Sequence, residues 1–175
     1  CSSDLGDRRI DHPQDKGCDN PEDDDESAPH MDVLKEGPAE ILAGDIVKYI
    51  ITVTNTSNDV VVKNARASDW IHDDPQGLFE FLPDPSSDEC EVVPANNKPQ
   101  RVICGPLDYN PGQVRVFEVF FQTTPNEFCD EQVINQTDVH ADNSDSDWSK
   151  VMSTVTCGAP DLSVTKEKQG DADII

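Results

Sequence analysis

Asp142, Asn143, Asp145 and Asp147 crowd one short stretch of the chain. Hard oxygen donors at that density suit Ca²⁺, which makes it the candidate cofactor. The stretch is not an EF-hand. Counted from Asn143, the sixth position is Trp148 where that loop needs Gly, and the twelfth is Thr154 where it needs Glu. A solvated hairpin turn has the same composition, so the two readings stand side by side. Asp69, Asp73 and Asp74 form a second and weaker cation candidate. Asp23, Asp24, Asp25 and Glu26 read as a disordered acidic run that holds cations loosely at most.

Two triplets, Asn55-Thr56-Ser57 and Asn135-Gln136-Thr137, fit the N-glycosylation sequon. Lys35, near the first strand, and Asn135, in a late strand, are a pair that can condense into an intramolecular isopeptide bond, as in some surface adhesins. That reaction needs a buried acidic partner, and the sequence does not single one out. Catalytic residues are expected to be none: the chain has no Gly-x-Ser-x-Gly elbow, phosphate-binding loop or His-Glu-x-x-His helix. Carboxylates are so abundant that two of them being close in sequence carries no information.

The chain has six cysteines and no Cys-x-x-Cys pair, and its histidines, His12, His30, His72 and His140, lie far apart. Zinc sites need tighter ligand spacing, so disulfides formed in an oxidising, extracellular place are expected. Cys90 and Cys104 flank a turn at 94–99, as a cross-strand disulfide would. Cys129 and Cys157 come together if residues 133–156 fold as a hairpin about Ser144-Asp145, since bridged α-carbons must lie within about 7 Å. Cys1 and Cys18 close a small loop in the third pairing. A lipid-modified Cys1 is the rival reading, and it would leave an odd thiol.

The 175 residues carry a net charge of −23, from 36 acidic and 13 basic side chains, and only 35% are hydrophobic. Such a surface repels nucleic acid and anionic membranes. It suits solubility, divalent cations or a salty medium. No apolar run approaches the ~18 residues of a membrane helix, so no membrane span is expected.

Positioning falls to strands. Asp45–Asn55 is the clearest: Val47, Tyr49, Ile51 and Val53 alternate with Lys48, Ile50, Thr52 and Thr54, and a period of two puts the first set on the core face. Met31–Lys35 is a first strand broken by Gly37-Pro38. Val60–Ala67 is expected to pair antiparallel with Asp45–Asn55 across a polar turn, and to end at Ser68-Asp69-Trp70-Ile71. Leu78–Leu82 reads as an edge piece. Glu91–Val93 and Arg101–Cys104 are short partners. Val114–Gln122 puts Phe117, Val119 and Phe121 inward, and Val133–Ala141 with Trp148–Thr156 make the late hairpin. About eight short strands with Pro, Gly and Asn turns predict an all-β fold, an antiparallel β-sandwich stapled by disulfides.

The segment Pro160–Glu167, PDLSVTKE, lies on Pro29–Glu36, PHMDVLKE, with Pro, Val, Lys and Glu coinciding. A domain that begins a second time signals tandem arrays or chains of domains. Residues 29–175 resemble an Ig-like bacterial and archaeal surface repeat of unknown function whose members open on Asp-Leu-x-Val-x-Lys. That opening is imperfect at His30–Lys35 and nearly complete at Asp161–Lys166. The Gly-Asp start and Tyr-centred strand match Gly44-Asp45, Tyr49 and Thr54-Asn55. The Cys, Cys-Gly and Pro-Gly element matches Cys90, Cys104-Gly105 and Pro111-Gly112. The late Asn-containing strand matches Asn135–Val139, and the Asp-Asn-Ser loop matches 142–147. The third-strand Thr-Asp-x-Leu-Pro is degraded here to Ser68-Asp69-Trp70-Ile71-His72.

The resemblance implies a secreted, often tandem, surface or filament module with no enzyme activity. The expected organisation is an acidic extension at 1–28, an Ig-like sandwich at 29–158, and a donor strand or the first strand of a following repeat at 159–175. Leu162, Val164, Ile174 and Ile175 would enter the edge of another copy. The expected partners are therefore a homopolymer or neighbouring repeats. A Ca²⁺-dependent adhesion module, or a spacer in a tandem protein, is the alternative.

Overall fold

The computed structural model describes residues 29–72, 77–93, 101–124 and 130–158. Ten strands follow in order: β1 Met31–Glu36, β2 Glu40–Leu42, β3 Ile46–Asn55, β4 Val62–His72, β5 Phe79–Leu82, β6 Cys90–Val93, β7 Arg101–Tyr109, β8 Val114–Thr123, β9 Glu131–His140 and β10 Asp147–Thr156. They form two sheets, one in the order β1-β3-β8-β5 and the other β2-β10-β9-β4-β7-β6. Every pairing is antiparallel except the short parallel contact of β2 with β10. The fold is an Ig-like β-sandwich.

The alternations seen in the sequence become the core. Val47, Tyr49, Ile51 and Val53 are buried on β3, and Phe117, Val119 and Phe121 on β8. Phe121 is central: Tyr49, Phe79 and Phe81 each meet its ring edge-on at about 6 Å, an arrangement that adds to the burial of the rings themselves. The facing sheet contributes Val62, Ala65, Ala67 and Ile71 from β4, Val102 and Cys104 from β7, and Val133, Val139 and Val155 from the late hairpin. Cys90 and Cys104 are directly opposed on β6 and β7 and form the expected disulfide.

Three strand expectations are corrected. The segment starting at Val60 does not pair with β3; β4 lies in the other sheet, between β7 and β9. The polar stretch after Asn55 is a crossing between sheets, pinned by Asn55, whose Nδ2 donates to the carbonyls of Val60 (2.8 Å) and Tyr109 (3.0 Å). Nor does the strand end at Ser68-Asp69-Trp70-Ile71, since β4 runs on to His72 with those residues paired to β9. Its alternation is broken early, where Asn64 takes a positive φ of 54° and the register against β7 shifts. An extra residue of this kind moves every later side chain to the other face. The late hairpin pairs Val139 with Asp147, so it is centred on Asn143 and not between Ser144 and Asp145.

Candidate functional site

Met31, Val33 and Lys35 are the inward residues of β1, and Lys35 is 4% exposed. An inward lysine must bring its own partner, because an isolated ammonium in a dry core is prohibitively costly. The partner is Asp69, on the inner face of β4. Lys35 Nζ donates to Asp69 Oδ1 at 2.6 Å and to Thr137 Oγ1 at 3.1 Å; Thr137 Oγ1 in turn donates to Asp69 Oδ1 at 2.7 Å. Both charged side chains have no exposed surface. The second-cation reading of Asp69 is thereby corrected: the carboxylate belongs to the core, while Asp73 and Asp74 lie outside the described residues.

The β4–β9 register sets the rest of the cluster. Asp69 faces Thr137, and Ile71 faces Asn135. Asn135 is thus the diagonal neighbour of Asp69, a spacing of about 7–8 Å that side chains can bridge. It is 1% exposed, and neither its Oδ1 nor its Nδ2 has a hydrogen-bond partner; Asp69 Oδ2 also has none. Tyr49 joins the two halves of the cluster. Its ring lies 4.8 Å from Lys35 Nζ. Burial pushes its hydroxyl up to about 12, against a weaker downward pull from the neighbouring Ser153 and Asn135, neither of which reaches it in good hydrogen-bond geometry. Burial also pulls the Lys35 ammonium below its ordinary value, with Asp69 opposing. The ring fits because residue 37 is glycine: a Cβ there would lie 2.6 Å from Tyr49 Cε1.

Both sequons are corrected by burial. Asn55 is 0% exposed with its Nδ2 committed twice, and Asn135 faces the core, so neither nitrogen is open to a glycosyl carrier in the folded chain. The acidic loop is spread over structural tasks. Asp142 Oδ2 accepts from Asn64 Nδ2, Asn143 Oδ1 from the Lys63 amide, and Asp147 Oδ2 from the Val33 amide, while Asp145 makes a backbone bridge to His30. Among the described residues no group of three or more His, Cys, Asp or Glu is placed to hold a metal ion. Cys157 is disulfide-bonded. Its expected partner Cys129 lies outside the described residues, as do Cys1, Cys18, Leu162, Val164, Ile174 and Ile175.

The sheet edges differ sharply. The outer edge of β1 is closed, since Val33 N–H donates to Asp147 Oδ2 (2.9 Å) and Lys35 N–H to Ser149 Oγ (3.0 Å). On β8 the short β5 covers only Phe120–Thr123. Ser86 and Ser87 hydroxyls then accept from the Phe120 and Glu118 amides, each at 2.9 Å. Beyond them Val114–Val116 has β3 on one side and, among the described residues, no strand on the other. Val114 and Val116 are more than half exposed there.

No protein-family profile matches this chain, and no curated protein matches it. Solved structures do. AvmM, which catalyses macrocyclization in alchivemycin A biosynthesis, superposes with a TM-score of 0.51 at 10% identity, covering 77% of this chain and 93% of that one. A cohesin module of a Clostridium perfringens family 33 glycoside hydrolase gives 0.49 at 12%, covering 75% and 99%. A CARDB domain from Pyrococcus furiosus, solved with di-metal ions, gives 0.48 at 11%, covering 75% and 97%. At such identities the likeness is one of fold.

Proposed function

We propose that this chain is a structural module of an extracellular filament or cell-surface assembly, joined to its neighbours by β-strand addition. The observation that carries the reading is the incomplete edge of β8 at Val114–Val116, with its exposed valines. A row of unpaired main-chain groups beside apolar side chains is what an incoming strand needs: hydrogen bonds supply affinity and alternate side chains supply register. The donor is the segment 160–175, with Leu162 and Val164 as the inserted side chains and Ile174-Ile175 as the anchor. The buried Cys90–Cys104 disulfide supports an oxidising, extracellular setting. No helix among the described residues is long and apolar enough to cross a membrane.

The test is a peptide of residues 160–175 added to a chain truncated after residue 159. Saturable binding is expected, with hydrogen-exchange protection gained at Val114–Val116, and Leu162→Asp with Val164→Asp should abolish both. Absence of binding, or unchanged assembly by the truncated chain, would sink the idea. A ligand-binding adhesion module, Ca²⁺-dependent or not, is the second reading. It is favoured by a cleft of about 530 Å³ where the end of β1 meets β2 and β3, lined by Pro38, Leu42, Ile46 and Ile50 among others.

A further inference from the structure

The cluster on the inner face holds an amine, an amide and a carboxylate in one dry space, and its hydrogen bonding is unbalanced. Lys35 and Asp69 are joined to each other and to Thr137. Asn135, beside them and 1% exposed, has all its side-chain polar atoms unpaired, and so does one oxygen of Asp69. A buried amide with no partner loses hydration for nothing, at about 1–3 kcal/mol per group. Unsatisfied groups gathered around a buried nucleophile therefore call for a chemical explanation. A merely structural ion pair needs no asparagine.

We propose that Lys35 and Asn135 condense spontaneously into an intramolecular isopeptide bond, with Asp69 relaying the proton. Lys35 Nζ touches Asp69 and Thr137, Asn135 is two residues from Thr137 on the same face of β9, and the Tyr49 ring forms one wall for the amine while its hydroxyl lies beside the amide. The ion pair first resolves by proton transfer from the Lys35 ammonium to the Asp69 carboxylate, and the desolvation that disfavours the ammonium helps this step. The neutral amine attacks Cγ of Asn135 while the carboxylic acid donates to Oδ1. The tetrahedral centre then loses its Nδ2 group. With one proton taken from the lysine nitrogen and the one first handed to Asp69, that nitrogen leaves as ammonium. The Cγ–Nδ2 bond breaks, the Cγ–Nζ bond forms, and Asp69 returns to its starting state. Nothing is oxidised or reduced, and no other reactant is needed. Exclusion of water keeps the amine uncharged and the Asn135 amide from hydrolysis.

The product ties β1 of one sheet to β9 of the other and closes residues 36–134 into a loop. Tension entering at β1 and leaving beyond β9 then passes through a covalent bond and bypasses most of the sandwich. The inference stands apart from strand addition, since it requires only the folded domain.

The test is the intact mass of the full chain, reduced and denatured so that disulfides do not contribute. Release of ammonia is expected to place it about 17 Da below its sequence mass, and a protease digest should give one branched peptide containing Lys35 and Asn135. Lys35→Arg and Asp69→Asn chains should keep their full masses. A full mass for the unaltered chain overturns the proposal without recourse to any variant. So does a loss of the same size that persists in Lys35→Arg, since Asn cyclisation onto its own backbone gives it without the lysine. A cross-link that forms undiminished in Asp69→Asn overturns the role given to Asp69.

Discussion

The chain has two tyrosines, and both are inside: Tyr49 is 0% and Tyr109 2% exposed. Tyrosinate absorbance therefore reports on the core alone. Burial pushes each hydroxyl from its ordinary 10.0 up to about 12; at Tyr109 the neighbouring Arg115 opposes the shift. The sign of the pH dependence follows. A raised folded value means that the folded state keeps protons the unfolded chain has released, so the stabilisation is complete below pH 10 and is lost as pH climbs from 10 towards 12. The displacement corresponds to about 2–3 kcal/mol for each ring, hence roughly 5 kcal/mol for the two. That is comparable to the whole stability of many domains, about 5–15 kcal/mol. Absorbance and circular dichroism should be followed together in an alkaline titration. The expected result is a silent absorbance through pH 10, then a late rise that coincides with loss of the β-sheet signal. Two tyrosines that ionise near pH 10 with the sheet signal intact would refute the burial of both rings and with it the packing around Phe121.

Two further substitutions probe the same core. In an Asn135→Ala background, where Lys35 keeps its amine, Asp69→Ala strands the Lys35 ammonium in the interior and should cost about 3–5 kcal/mol in denaturant unfolding, whereas the paired replacement Lys35→Met with Asp69→Leu should recover most of that loss; equal costs for the two would contradict a buried pair. Gly37→Ala forces a methyl group into the Tyr49 ring and should lower stability by about 1–3 kcal/mol, with a change in near-ultraviolet circular dichroism as the ring is displaced. A neutral outcome there would show that the ring is not held as described.

Much of the sandwich was legible because strand periodicity states faces directly. The inward sets on β3 and β8 and the Cys90–Cys104 staple needed only alternation and a turn. Periodicity does not state neighbours, which is why the expected pairing of β4 with β3 differs from the structure: a polar stretch after Asn55 looks the same whether it reverses the chain or carries it across. The bulge at Asn64 then hid which face Asp69 occupied. In a chain with 36 acidic residues, an aspartate that is buried looks like every other. Lys35 and Asn135 stand out by their chemistry, and the sequence also carries the signal that places them inside. Lys35 shares its parity with Met31 and Val33, and Asn135 shares its parity with Val133 and Val139. Polar residues in register with apolar ones deserve to be read as inward, and that reading would have set both sequons aside. Sequence spacing likewise gathers the oxygens of the 142–147 loop, where the structure gives Asn143 and Asp147 to backbone donors on different segments and Asp142 to the Asn64 side chain.

The central claim, assembly by strand addition, is tested most directly by electron microscopy of the full chain, kept oxidised. The account predicts regular fibres with an axial repeat of about one sandwich domain, lost on truncation after residue 159. Isolated particles that bind ligand or Ca²⁺ and never polymerise would contradict it.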